Sequence, residues 1–190
     1  MEKKYELLVI GGSAGSFHVI LELVGQLSEG FALPIIIITH RSRGNDYQFI
    51  NILNEKTSLT VKEAEEKELI LSGYIYVCPP DYHLLIEKDK TLSLDYSEKV
   101  NHSRPSIDVT FECVADIYKE KAIAILLSGA NGDGAEGLHR IHKQGGVTIV
   151  QNPKNAEVPV MPQRALELFT ADYIIEADEI GETIKKLNIL

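Results

Sequence analysis

Leu7-Leu8-Val9-Ile10 is an uninterrupted apolar run that stops at Gly11-Gly12, and the residues beyond it change period, with Phe17, Ile20, Leu21, Val24 and Leu27 recurring at helical spacing. Strand, tight turn and helix in that order open a βα unit. The alternation returns with a buried-strand run over 34–39 and a helix over 46–54. From Ser106 it continues as helix to about Lys119, strand 122–127, helix 135–144, strand 147–150, helix 162–169, strand 173–176 and a closing helix after Asp178. Between Leu59 and Tyr96 the segments are shorter and broken by Ser72-Gly73, Pro79-Pro80-Asp81 and Lys88-Asp89-Lys90, which predicts an antiparallel excursion at a sheet edge. The expected fold is α/β: a single-domain, mostly parallel sheet with helices on both faces and a short antiparallel excursion, its ligands gathered at the carboxyl ends of the strands.

A chain of 190 residues, 44% hydrophobic and 25% charged, can bury a core without disulfides or metal, so one domain spanning 1–190 is expected. The longest apolar run, 31–38, contains a proline and falls far short of the roughly 20 residues a bilayer requires. The opening Met1-Glu2-Lys3-Lys4-Tyr5-Glu6 has no apolar core of a secretory signal, and the two cysteines, Cys78 and Cys113, are too few for a disulfide framework. These features predict a cytoplasmic protein. A net charge of −9 with no basic stripe argues against nucleic acid. The charged run 62–68 is expected to be a solvated face.

Gly11-Gly12-Ser13-Ala14-Gly15 matches the Gly-x-Ser-x-Gly nucleophile pattern in its required place between strand and helix. A dinucleotide loop would need glycine at Ile10 and an acidic residue where Thr39-His40-Arg41 stands; a plain structural glycine turn is the other competitor. His40 ends the second strand, so in a parallel sheet it would reach the same rim as Ser13 and serve as its base, against the alternative of a strand-end cap. Asp133, in Gly129-Ala130-Asn131-Gly132-Asp133-Gly134, is either a helix N-cap or the acid that orients His40. The four glycines from Gly129 to Gly137 would let backbone approach a substrate. His139 and His142 lie three apart on a helix without further ligands at metal spacing, and His18, His83, His102, Cys78 and Cys113 carry no assigned chemistry.

With these residues in order, the chain resembles the catalytic domain of the chemotaxis protein-glutamate methylesterase family, the CheB type. The likeness rests on Ile10 to Gly15, the strand ending in His40, Val61-Lys62-Glu63-Ala64-Glu65, Arg104-Pro105-Ser106-Ile107-Asp108, Gly132 to Gly137, Gln151-Asn152 and Met161-Pro162. It implies Ser13, His40 and Asp133 as nucleophile, base and acid. The implied activity is hydrolysis of glutamyl methyl esters, and deamidation of glutamines, on the helical cytoplasmic part of chemoreceptors, with no metal or organic cofactor. Backbone amides of Ala14 and Ala130 are expected to hold the oxyanion, and Arg104 to orient substrate or to serve a structural salt bridge. Ser16 stands where the family usually has glycine, and Ala130 where it has methionine. The family's amino-terminal receiver domain is not in this sequence, so a separate receiver protein is one expected partner. A serine hydrolase for another ester or amide, and a noncatalytic signalling scaffold, are the alternatives.

Overall fold

The structure is a computed structural model that describes residues 5–27, 30–41 and 46–189; the opening residues 1–4, read above for a leader, lie outside it. Strands β1 (Leu7–Gly12), β2 (Ile35–Thr39), β3 (Thr60–Glu63), β4 (Tyr74–Val77), β7 (Ala122–Leu126), β8 (Val147–Gln151) and β9 (Tyr173–Ile175) form one sheet, in the order β3-β4-β2-β1-β7-β8-β9. All its pairings are parallel. Strands β5 (His83–Ile86) and β6 (Leu92–Asp95) make a separate antiparallel pair. The helices are α1 (Phe17–Gln26), α2 (Asp46–Asn54), α3 (Ile107–Ile117), α4 (Ala135–Lys143), α5 (Val160–Leu168) and α6 (Ile180–Ile189).

The expected excursion is therefore only half antiparallel. Strands β3 and β4 belong to the main sheet and run parallel to β2, with β3 at the edge. Their ten-residue connection is short for a parallel crossover. It is held over the β5–β6 pair, where Leu69 bridges Thr91 and Leu92 N–H donates to the Glu68 carbonyl.

The central strands are buried on both faces, which is why they appear as continuous apolar runs. Alternate residues feed two cores. Leu7, Val9, Ile36 and Ile38 pack with Phe111 of α3 and Leu138 of α4, while Leu8, Ile10, Ile35 and Ile37 pack with Ile20 and Val24 of α1 and Ile184 of α6. Each such side chain contributes roughly 1.5–3 kcal/mol when fully buried. The helix that follows β1 thus lies on one face, and the helix that follows β7 on the other. Because the loops after β1 and β7 leave in opposite directions, a crevice opens between them at the carboxyl ends of the strands.

Candidate active site

Strand pairing places the first two candidates. Gly12 is the register partner of Thr39, so Ser13 and His40 are the residues that directly follow two adjacent parallel strands. Gly11 faces the α3 side, where an added Cβ would meet Ile107, and Gly12 faces Ser16 on the other side. The period of two therefore assigns position 13 to the α3 face, along with His40. The third candidate arrives from the other neighbour of β1, since Asp133 lies in the loop between β7 and α4.

His40 Nε2 lies 2.7 Å from Asp133 Oδ2. Side-chain exposure falls from 16% at His40 to zero at Asp133, so the ring is open to a reactant while its anchor is sealed from water. Against ionised Asp133, Nε2 carries the proton and Nδ1 is left as the basic nitrogen. Ser13 is half-buried, and among the described residues its hydroxyl has no hydrogen-bond partner. A catalytic hydrogen bond absent before substrate binds commonly forms only in the complex.

Asp133 is more than a helix cap. Oδ2 also accepts the Ile107 N–H at 2.7 Å, and Oδ1 accepts the Ser106 hydroxyl at 2.7 Å, the Asn101 amide at 3.0 Å and the Asp108 N–H at 3.2 Å. The capped helix is α3, whose first amides point at the carboxylate, and not α4, whose own N-cap is Gly134 in a left-handed conformation with φ 92°. Burial pushes the Asp133 carboxyl up, but the donors from His40, Asn101, Ile107 and Ser106 outweigh it and hold it below the usual aspartate range.

The amides of Ala14 and Ala130, both on exposed residues, donate no hydrogen bond among the described residues. Their loops are tied together by buried Ser128, whose hydroxyl faces the Ala14 carbonyl at 2.7 Å and the Val158 carbonyl at 3.1 Å, while its N–H reaches Gln151 Oε1 at 2.9 Å. Ser16 pins the nucleophile turn from within, its hydroxyl and amide both donating to the Ser13 carbonyl. The glycines from Gly129 to Gly137 serve the fold itself. An added Cβ would strike Met161 at Gly129, Arg164 at Gly132, Ile107 at Gly134 and Phe111 at Gly137, all within 3 Å.

Among the described residues Arg104 makes no hydrogen bond or ion pair with Ser13, His40 or Asp133. Its guanidinium donates to the Tyr96 and Ser97 carbonyls and lies 4.0 Å over the Tyr96 ring, and among the described residues it has no ion pair. His83 is core: buried, it holds the Ser106 amide with Nδ1 and the Glu98 carbonyl with Nε2. His139 and His142 pack on Phe169, and no group of residues fit to hold a metal ion occurs among the described residues. Cys78 is fully buried, which pushes its thiol up and away from reactivity. Within the 62–68 run, Lys62 pairs with Glu65 and Glu68. Asn101, Ser106, Asp108 and Ser128 also belong to the site; of these, Ser106 and Asp108 fall within the Arg104–Asp108 motif, whereas Asn101 and Ser128 lie outside it.

The family model for CheB methylesterase matches residues 8–184. The chain belongs to the CheB methylesterase family. A Leptospira interrogans protein that carries the provisional name protein-glutamate methylesterase/protein-glutamine glutaminase is 45% identical over 184 residues, 97% of this chain and 95% of that protein. The protein-glutamate methylesterase/protein-glutamine glutaminase of Thermotoga maritima is 33% identical over 185 residues, 96% of this chain but 54% of that protein. The crystal structure of the Thermotoga maritima CheB methylesterase catalytic domain superposes with a TM-score of 0.92 at 33% identity, covering 96% of this chain and 98% of that one. No helix of the described residues is long and apolar enough to cross a membrane.

Proposed function

We propose that this CheB-family chain is a serine hydrolase that removes methyl esters from glutamate side chains of chemoreceptors, and deamidates receptor glutamines, with Ser13, His40 and Asp133 as nucleophile, base and acid. The observation that carries the reading is that Ser13 and His40 directly follow the paired ends of β1 and β2, with His40 Nε2 held at 2.7 Å by a buried carboxylate.

Asp133 keeps the proton on Nε2, so Nδ1 accepts the proton of Ser13 as Oγ attacks the ester carbonyl. Negative charge moves to the carbonyl oxygen, where the unengaged amides of Ala14 and Ala130 receive it; one such donor is worth roughly 3 kcal/mol. The tetrahedral adduct collapses, the proton passes from Nδ1 to the leaving oxygen, and methanol departs. Water then gives a proton to Nδ1 and attacks the acyl-serine; the second adduct expels Ser13 Oγ, which takes that proton back from Nδ1, freeing glutamate and restoring Ser13 and His40. A glutamine follows the same course with ammonia leaving. Arg104 enters by shaping the 96–104 segment through its carbonyl and ring contacts. The substrate would be the helical cytoplasmic part of a receptor, which places the reaction in the cytoplasm.

Incubating the intact chain with a methylated receptor fragment should release methanol and, at susceptible glutamines, convert amide to acid by mass spectrometry. Ser13→Ala and His40→Ala, if folded, should do neither. No methanol and no amide conversion from fragments that other methylesterases demethylate would refute the receptor assignment.

A further inference from the structure

Asp133 is not the sole carboxylate buried behind His40. Asp108, in the first turn of α3, is 6% exposed, with Oδ2 accepting the Asn101 side-chain amide at 2.8 Å and Oδ1 accepting the Gly137 N–H of α4 at 2.8 Å. The same Asn101 nitrogen donates its other hydrogen to Asp133 Oδ1 at 3.0 Å. Asn101 holds this bridge from a left-handed backbone, φ 51°, which asparagine tolerates better than most residues. The proposed mechanism gives neither Asn101 nor Asp108 a part.

We infer that Asn101 and Asp108 are positioning residues for the triad acid, the Asn101 amide joining the two carboxylates so that the charge on Asp108 is felt at Asp133 and, through it, at His40. The inference rests on the triad reading above. An imidazolium forming at His40 is stabilised by both carboxylates when both are ionised. A proton on Asp108 removes one charge and puts an O–H where the oxygens now meet only donors, so the bridge must rearrange.

The surroundings of Asp108 make this switch accessible. Asp133 faces it from the β7–α4 loop, the amides of Gly134 and Gly137 from α4, and Asn101 from the preceding loop. His83 of β5 is engaged with Ser106 and Glu98, and Arg140 of α4 with Asp116 and Glu112. Burial pushes the Asp108 carboxyl up to about 6, with Asp133 adding to the rise, against the lowering donors of Gly137, Asn101 and Gly134.

The test follows the His40 Nε2 proton by NMR against pH in the intact chain, Asp108→Asn and Asn101→Gly, the glycine retaining the left-handed backbone while deleting the amide. Relative to the unsubstituted chain, the pH response of this resonance should lose its Asp108-linked component near pH 6 in Asp108→Asn, and show that component weakened and moved to higher pH in Asn101→Gly. Ester hydrolysis measured in parallel should lose roughly tenfold in kcat/KM in Asn101→Gly, the worth of one charge-assisted hydrogen bond, with its acid limb moved upward. Identical pH responses in all three chains, or activity losses constant across pH, would overturn the coupling. A component that behaves as expected in a chain without esterase activity would uphold the coupling and refute the triad reading, whereas active enzyme with an unchanged pH response would do the reverse.

Discussion

Replacing Asp133 by asparagine should cripple the reaction through the tautomer of His40, and the hydrogen bonds fix why. Five donors converge on the carboxylate: His40 and Ile107 on Oδ2, and Asn101, Ser106 and Asp108 on Oδ1. An asparagine must present an NH2 to one of these groups. Facing the Oδ1 set, it would oppose the Asn101 and Asp108 N–H donors. Facing the Oδ2 set, it would oppose only Ile107, because the imidazole can move its proton to Nδ1 and accept at Nε2. The second orientation leaves fewer donors unpaired, and it turns the nitrogen meant for Ser13 into a donor. A wrong tautomer with intact geometry costs about 10⁴ in kcat in triads of this logic. Stability should fall by about 2–4 kcal/mol, from one buried unpaired amide and weaker remaining bonds. The Asp133 carboxyl is held below its ordinary range, so its contribution is present above the unfolded-state pKa and is lost as pH falls through the folded one. The deficit should thus be full at neutral pH and shrink in acid. Imidazole ¹⁵N shifts, urea unfolding and ester turnover measure the three effects. A folded variant that keeps the Nε2–H tautomer, or loses less than about tenfold in kcat, would refute the reasoning.

Other substitutions probe the surrounding frame. Asp108 is raised to about 6, so its stabilising contribution is complete below the unfolded-state aspartate value and is lost as pH rises through 6; the stability of the intact chain relative to Asp108→Asn should therefore increase between pH 8 and pH 5 in chemical denaturation. Ser128→Ala removes the hydroxyl between the Ala14 and Val158 carbonyls and should cost about 1–2 kcal/mol, with turnover falling more than KM changes if the Ala14 amide is an oxyanion donor. Gly134→Ala combines a left-handed φ of 92° with a Cβ 2.7 Å from Ile107 and Leu126, and should lower unfolding free energy by about 2 kcal/mol or more.

The parts of the site that follow strand ends were legible because the parallel sheet itself brings them together. Ser13 and His40 each follow an apolar run, and register does the rest. Asp133 could be picked from its glycine-flanked loop, but not its role as the acceptor that caps α3, because the Ser106-Ile107-Asp108 donors come from a segment 25–27 residues earlier in the chain. Asn101 was less visible still, an exposed loop residue whose amide acts only once the loop is laid against α3 and α4. The strand direction of β3 and β4 failed for a different reason. Side-chain alternation has a period of two in either direction, so a short parallel crossover over a hairpin looks, in sequence, like another hairpin.

The most direct test of the central claim is covalent capture of the nucleophile. A fluorophosphonate should label the intact chain stoichiometrically, with the adduct found on Ser13 by peptide mass spectrometry, and labelling should be lost in Ser13→Ala and slowed by orders of magnitude in His40→Ala and Asp133→Asn. Labelling at another residue, or at Ser13 with a rate indifferent to His40 and Asp133, would contradict it.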